Sequence, residues 1–157
     1  NAIGNSDFIL FLGDEILVKP HHQDMINEFK KGFAYAICGI LSVDDRTKIH
    51  RTYTLIQDSE RNIYRLIEKP TNPINNLMGT GVCIFKNSIF NYINITPIHH
   101  KRQEKELPDL IQCAIDDGKV VKSFFICENY SNINSESDIS IAESFFKDDI
   151  PGTHQNS

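Results

Sequence analysis

Several side chains that could take part in chemistry stand directly after apolar segments of this sequence. Asp14 follows Gly13 and the apolar run 7–12, a pattern that predicts a buried strand with a carboxylate at its carboxyl end. In open α/β sheets, ligands bind beyond these strand ends. Hard cations prefer carboxylate oxygen, and a neighbouring glycine leaves room for a ligand to approach the backbone. Asp14 is therefore a candidate metal ligand, and the alternative is that it only caps the turn that follows.

Four further motifs lie at strand ends, in loops or at the start of a helix. They are Glu68-Lys69-Pro70, Gly79-Thr80-Gly81, Glu106-Leu107-Pro108-Asp109 and Asn132-Ile133-Asn134-Ser135. Each motif also has a purely structural interpretation: a surface ion pair, a glycine bulge, a favourable charge in a first helical turn and a polar turn, respectively. Their order along the chain, rather than any one of them, favours a functional interpretation.

In this order the motifs resemble those of the sugar-1-phosphate nucleotidyltransferases, also called NDP-sugar pyrophosphorylases. Enzymes of that family join a nucleoside triphosphate to a sugar 1-phosphate and release pyrophosphate. The resemblance extends from about Phe8 to about Phe146, and it is strongest to enzymes of the glucose-1-phosphate thymidylyltransferase type, which make dTDP- or UDP-hexoses. It implies an enzyme that binds a sugar 1-phosphate and a nucleoside triphosphate and uses Mg²⁺ as its cofactor.

The resemblance also implies roles for individual residues. Asp14 and Asn132 would bind Mg²⁺, and Lys69 would hold the sugar-linked phosphate as a compact cation. Asp14 and Lys69 are thus the candidate catalytic residues. Carboxylates can accept hydrogen bonds from two neighbouring sugar hydroxyls. The candidate substrate-binding residues are Glu68, Gly79, Thr80, Gly81 and Glu106.

The sequence departs from the family pattern at its last motif. Asn132 stands where the family usually has Asp, and Asn134 stands where it usually has Gly. An amide oxygen can coordinate Mg²⁺ but adds no negative charge, so we expect weaker metal binding. The alternative is that both asparagines only satisfy the backbone groups of a turn.

Strands and helices alternate along the chain. Strands are predicted over 7–12, 33–43, 52–56, 63–67, 80–85 and 120–127, and helices over 22–31, 88–93, 107–115 and after Ser135. This pattern predicts an α/β fold with a doubly wound, mixed but mostly parallel sheet. The resemblance implies the Rossmann-like nucleotidyltransferase type. We expect residues 1–150 to form a partial nucleotidyltransferase domain and residues 151–157 to form a disordered tail.

The family opens with a glycine-rich loop that carries Arg and Lys, and no such segment precedes Asn1 in the sequence. We therefore expect the chain to lack the N-terminal strands of the domain and to carry only the sugar and metal site. The isolated chain would then be a poor catalyst and a marginal fold, because its sheet would keep an open edge.

Composition narrows the range of partners and compartments. The net charge is −5 and no basic stripe is present, so we do not expect nucleic acid to bind. The apolar run 33–41 is too short to span a bilayer, and the N-terminus has no signal-peptide pattern, so we expect no membrane association. The four cysteines form no Cys-x-x-Cys pair, which favours buried thiols and a cytoplasmic protein. The sequence is compatible with a homo-oligomer as well as with a monomer.

The implied reaction is attack by a sugar-phosphate oxygen on the α-phosphorus of a nucleotide, with pyrophosphate as the leaving group. Two other functions stay open. One is a non-catalytic module that binds sugar phosphates and regulates a partner, favoured by the altered metal motif. The other is a metal-dependent glycosyltransferase, which requires an Asp-x-Asp motif after a strand; Asp44 and Asp45 are adjacent and lie in a predicted loop.

Overall fold

The computed structural model describes residues 4–146, and strands alternate with helices over most of this range. The strands are β1 Phe8–Leu10, β2 Glu15–Val18, β3 Ala36–Ser42, β4 Tyr53–Gln57, β5 Ile63–Glu68, β6 Leu77–Phe85, β7 Val121–Phe125 and β8 Asn129–Asn132. The helices are α1 His22–Lys30, α2 Leu107–Asp116 and α3 Glu136–Ser144, with 3-10 helices over Arg46–Arg51 and Asn87–Tyr92. The tail expected over 151–157 and the expected domain end at residue 150 lie outside the described residues.

The central sheet has four strands in the order β1-β6-β3-β7. β3 pairs with β7 in parallel and with β6 in antiparallel orientation, and β1 is antiparallel to β6. The predicted α/β class with a mixed sheet is confirmed. The prediction that most pairs would be parallel is wrong for the described strands, because β6 returns from the β4–β5 hairpin and enters the sheet antiparallel to β3.

Alternate residues of β3 face two separate apolar layers. Cys38 and its neighbours at even positions pack in a core with the β4–β5 hairpin and α2, which contributes Ile111. Ile37 faces the opposite layer, where α1 contributes Met25 and Phe29. Both faces of β3 are therefore buried, which explains why its sequence is continuously apolar instead of alternating. The four cysteines are free thiols, and three of them are buried.

Threonine side chains attach the β4–β5 hairpin to the central sheet. The Thr52 hydroxyl donates a hydrogen bond to the carbonyl oxygen of Gly79 (2.6 Å), and the Thr54 hydroxyl donates one to that of Leu77 (2.8 Å). β6 is therefore hydrogen-bonded to residues of the hairpin region as well as to its neighbouring strands in the central sheet. The end of β5 is thereby held above the glycine-containing start of β6.

The short strands β2 and β8 form a separate antiparallel ribbon that the sequence pattern did not predict. Glu15 is paired with Asn132, and Val18 with Asn129. β8 is polar throughout and was interpreted as a loop, since strands are recognised from apolar alternation. The ribbon matters for function, because it brings Asp14, one residue before β2, to the end of β8. No helix within residues 4–146 is long and apolar enough to cross a membrane.

Candidate functional site

The ends of β5 and β8, the start of α2 and the first half of β6 surround a cavity of about 360 Å³. Every site residue named from the sequence lines this cavity: Asp14, Glu68, Lys69, Gly79, Thr80, Gly81, Glu106 and Asn132. These residues come from segments that are distant in sequence, and the fold brings all of them together. Their individual roles stay predictions.

Asp14 and Asn132 both line the cavity at the β2–β8 ribbon, where Asp14 lies one residue before β2 and Asn132 is the last residue of β8. The carbonyl oxygen of Asp14 accepts a hydrogen bond from the N–H of Ile133 (2.7 Å), whereas the side chain is exposed. The side-chain oxygen of Asn132 accepts a hydrogen bond from the Asn134 amide (3.0 Å). An amide oxygen has two lone pairs, so this bond leaves Asn132 able to accept a second partner. The pair thus offers two oxygen-bearing side chains, a carboxylate and an amide, that could coordinate a metal ion.

Glu15 is the main site-lining residue that sequence reasoning missed. Its two carboxylate oxygens accept from the N–H of Gly81 at 2.7 and 2.8 Å, and one of them also accepts from the Tyr130 hydroxyl (2.7 Å). These bonds join the β2–β8 ribbon to β6 and thereby fix the position of Asp14. A signal was present, because Glu15 directly follows the Gly-Asp motif, but its partner lies 66 positions away in the sequence.

Burial raises the pKa of the Glu15 carboxyl above its ordinary value, although its hydrogen bonds act in the opposite direction. The folded protein therefore holds this proton more readily than the unfolded chain does. It follows that the free energy of unfolding falls as pH rises from the unfolded pKa, about 4.3, through the folded pKa, and levels off above it.

Glu15→Gln should remove this pH-dependent term. We expect the stability difference between the variant and the wild type to shift in favour of the variant as pH rises through this window, because glutamine has no charge to desolvate. Urea denaturation at a series of pH values between 4 and 8 measures the difference. Glu143→Gln, at an exposed position of α3, is the matched control. Parallel pH profiles for wild type and Glu15→Gln would contradict the assignment.

Lys69 is held in an uncommon backbone conformation at the end of β5. Its φ is 43°, in the left-handed region, and the following residue is Pro70, which restricts the backbone further. The N–H of Lys69 donates to the carbonyl oxygen of Thr52 (2.6 Å). The Lys69 ammonium lies 3.3 Å from the Glu68 carboxylate. Non-glycine residues in such conformations are concentrated at ligand sites.

The carboxylates of Glu68 and Glu106 face the same part of the cavity. Burial raises the pKa of Glu68, the Lys69 ammonium lowers it, and the charge of Glu106 raises it. Glu106 immediately precedes α2 and accepts a hydrogen bond from the guanidinium of Arg102. Arg102 was not singled out in the sequence, although its i, i+4 spacing to Glu106 was visible.

Thr80 differs from the other candidates, since its side chain is already engaged. The Thr80 hydroxyl donates to the carbonyl oxygen of Gly39 (3.0 Å) and is buried between β6 and β3. Gly81 lies against Leu12, whose side-chain atoms would stand 2.3–2.8 Å from an added Cβ. Glycine at this position therefore lets the apolar strand before Asp14 lie directly on β6.

Comparisons with known proteins match residues 1–139 to the family described as nucleotidyl transferase. A low-salt glycan biosynthesis nucleotidyltransferase from Haloferax volcanii is 30% identical over 125 residues, which are 79% of this chain and 33% of that protein. Glucose-1-phosphate thymidylyltransferase from Streptomyces griseus is 29% identical over 139 residues, covering 87% of this chain and 37% of that protein.

The solved structure of a UDP-glucose pyrophosphorylase complexed with UDP-glucose shares the fold. Its TM-score is 0.79 at 20% sequence identity, with 94% of this chain and 58% of that chain covered. The chain spans about a third of the length of the curated relatives described above. Because the family match covers residues 1–139, the chain belongs to the nucleotidyl transferase family.

Proposed function

We propose that the protein transfers a nucleotidyl group from a nucleoside triphosphate to a sugar 1-phosphate, giving an NDP-sugar and pyrophosphate. In this proposal the chain supplies the sugar end and the metal end of the active site. The observation that carries it is the single cavity, in which candidate metal ligands, a lysine and two carboxylates meet. The name of the Streptomyces griseus relative, a glucose-1-phosphate thymidylyltransferase, supports the same reaction class.

The nucleophile in this reaction is a phosphate oxygen that is already an anion, so the site needs no general base. Its tasks are to position the two substrates and to neutralise the charge that gathers where their phosphates meet. Lys69 places an ammonium group at the rim of the cavity, and its fixed backbone limits the directions that the side chain can take. Lys69 would therefore bind the phosphate of the sugar 1-phosphate.

Glu68 and Glu106 would accept hydrogen bonds from sugar hydroxyls. Both carboxylates line the cavity, and their side chains are only 12% and 11% exposed. A partly desolvated carboxylate gains more from a hydroxyl donor than one in water does. Gly79 and Gly81 also line the cavity, but Tyr53 and Leu12 occupy the space that their side chains would fill, so a sugar would contact only their backbone.

Asp14 and Asn132 would hold Mg²⁺. No group of three or more His, Cys, Asp or Glu side chains within residues 4–146 is arranged to hold a metal ion by itself. Mg²⁺ commonly binds through one or two protein oxygens and completes its shell with water and substrate phosphates, and the carboxylate–amide pair fits that requirement. When bound, the ion would supply charge neutralisation at the reacting phosphates.

The two alternative functions have weaker support. The non-catalytic module relies on Asn132 in place of the usual Asp, yet the amide oxygen still lines the cavity beside Asp14. The glycosyltransferase would need an Asp-x-Asp motif after a strand, and neither Asp14-Glu15 nor Asp44-Asp45 is one. Asp45 instead accepts hydrogen bonds from the N–H and hydroxyl of Thr47 and caps the 3-10 helix.

We also propose a cytoplasmic location, supported by the free thiols.

Release of pyrophosphate from nucleoside triphosphates, in the presence of hexose 1-phosphates and Mg²⁺, tests the proposed reaction in an active preparation of the enzyme. Release that depends on the hexose 1-phosphate supports nucleotidyl transfer. Transfer of a sugar from an NDP-sugar to an acceptor, without pyrophosphate release, would favour the glycosyltransferase. Binding of hexose 1-phosphates without either reaction would favour the non-catalytic module.

Lys69→Ala should weaken binding of hexose 1-phosphates by about tenfold or more, because a hydrogen bond to a charged group contributes about 1.5–3 kcal/mol. Alanine keeps the Cβ atom, so the strain of the left-handed backbone is the same in both proteins. Calorimetry or ligand-observed NMR measures the affinity. Lys101→Ala, at an exposed loop position away from the cavity, should bind like the wild type. Unchanged affinity in Lys69→Ala would place the phosphate elsewhere.

A further inference from the structure

Arg51 is a second cation at the sugar site that no motif identifies. It is the last residue of the 3-10 helix Arg46–Arg51 and lines the same cavity as Lys69. The register of the hairpin explains why. Tyr53 is paired with Glu68, and the Lys69 N–H donates to the Thr52 carbonyl, so Arg51 and Lys69 leave the same end of the β4–β5 sheet.

The guanidinium of Arg51 is not held by a hydrogen bond to any carboxylate within residues 4–146. Its ion-pair partner in that range is Asp138, with 3.9 Å between the Nη1 and Oδ1 atoms, which is longer than a hydrogen bond. The Asp138 carboxylate already accepts from the N–H of Asn134 (3.0 Å) and the hydroxyl of Ser135 (2.8 Å). The Arg51 side chain is 72% exposed. Its fork of N–H donors therefore remains available to a ligand.

The charges that line the cavity require such a donor if a phosphate is to enter. Among the described residues, four carboxylates line it (Asp14, Glu15, Glu68 and Glu106) together with two cations, Lys69 and Arg51, and Glu106 is also paired with Arg102. The Lys69 ammonium is already 3.3 Å from a Glu68 oxygen. A sugar 1-phosphate carries up to two negative charges, so Lys69 alone would leave it facing a net negative wall. Guanidinium binds phosphate through two parallel N–H···O bonds, which adds direction as well as charge.

We propose that Arg51 binds the phosphate of the sugar 1-phosphate together with Lys69. This inference rests on the proposed function, because it assigns a residue to the same ligand. It also separates Arg51 from its neighbours. Lys48 and His50 belong to the same 3-10 helix but line an adjacent cavity and not the sugar cavity. Arg51 stands on the wall between the two cavities and is the residue of this helix that reaches both.

The test compares Arg51→Gln and Arg51→Lys with a matched control. Arg46→Gln removes an arginine from the same 3-10 helix, one whose guanidinium donates to the Asn76 side chain (2.6 Å) outside the sugar cavity. The probes are glucose 1-phosphate and glucose, with affinities measured by calorimetry or ligand-observed NMR.

We expect Arg51→Gln to weaken glucose 1-phosphate binding by about tenfold or more and to leave glucose binding unchanged. Arg51→Lys should recover only part of the loss, because an ammonium cannot make the paired bonds. Arg46→Gln should bind like the wild type.

Two results would overturn the assignment of Arg51 without affecting the proposed function. One is a wild-type affinity for glucose 1-phosphate in both Arg51 variants, while Lys69→Ala still weakens binding. The other is an equal loss for glucose and glucose 1-phosphate, which would assign Arg51 to the shape of the cavity and not to the phosphate. If the wild type binds no hexose 1-phosphate at all, this inference and the proposed function are both overturned.

Discussion

Asp14→Asn is expected to lower turnover by about a hundredfold or more if the proposed function holds, because it would remove the negative charge proposed to hold the cation at the reacting phosphates. The same change should leave the thermal midpoint nearly unaltered. The structural contribution of Asp14 comes from its backbone carbonyl, which accepts from the Ile133 N–H (2.7 Å), and its side chain is exposed. Turnover, thermal unfolding and Mg²⁺ titration of the same preparation measure the three quantities.

Asp44→Asn provides the control for Asp14→Asn, since Asp44 is an exposed carboxylate in the loop after β3 and does not line the cavity. It should change neither turnover nor Mg²⁺ affinity. Wild-type turnover in Asp14→Asn, with unchanged Mg²⁺ dependence, would remove Asp14 from the metal site. A large fall in the thermal midpoint of Asp14→Asn would instead assign the side chain a structural role.

Gly79→Ala should destabilise the fold by about 2–3 kcal/mol or more, because the added methyl group has no space. A Cβ at this position would stand 2.0–2.3 Å from carbon atoms of the Tyr53 ring. The ring cannot move aside easily, since it is buried and its hydroxyl donates to the Thr80 carbonyl (3.2 Å). Denaturant unfolding measures the loss, and the thermal midpoint should fall by about 4–10 °C.

Gly13→Ala separates this effect from the general cost of replacing a glycine. Nothing lies within 4 Å of a Cβ built at Gly13, and its backbone is outside the left-handed region, so we expect a change of at most about 0.5 kcal/mol. The double variant Gly79→Ala with Tyr53→Leu should be less destabilised than the sum of the two single changes, because the smaller side chain makes room. Strict additivity would mean that the Tyr53 ring is not the obstacle.

Much of the fold could be predicted from local patterns, and the exceptions share a physical cause. β3 was predicted because its sequence is a continuous apolar run, and α1 because its apolar residues recur with a helical period. Both patterns reflect burial. β2 and β8 were missed, since each has only four residues and is held by its partner strand rather than by its own sequence. Pairing between two short segments that are distant in the sequence leaves no periodic signal.

The candidate site also divides into residues that local sequence motifs predict and residues that depend on contacts between distant elements. Residues within recognisable motifs, such as Asp14 and Lys69, were located from sequence and line the cavity. Glu15 and Arg51 were missed because their relevance depends on contacts between elements: a backbone N–H on β6 in one case and the register of the hairpin in the other. A single sequence carries no direct record of such contacts. The left-handed backbone of Lys69 was also not predicted, as lysine rarely adopts it.

The β2–β8 ribbon links ligand binding to the order in which the chain folds. Glu15 and Tyr130, which meet across the ribbon, are 115 positions apart in the sequence. Contacts of such long range form only after the intervening chain has closed a large loop. We therefore expect Asp14 and Asn132 to become neighbours late in folding, after the strands between them in the sequence have begun to pair. A ligand that contacts both strands would bind the native state and not earlier folding states. It would stabilise the native state by an amount that grows with the logarithm of its concentration once that concentration exceeds the Kd.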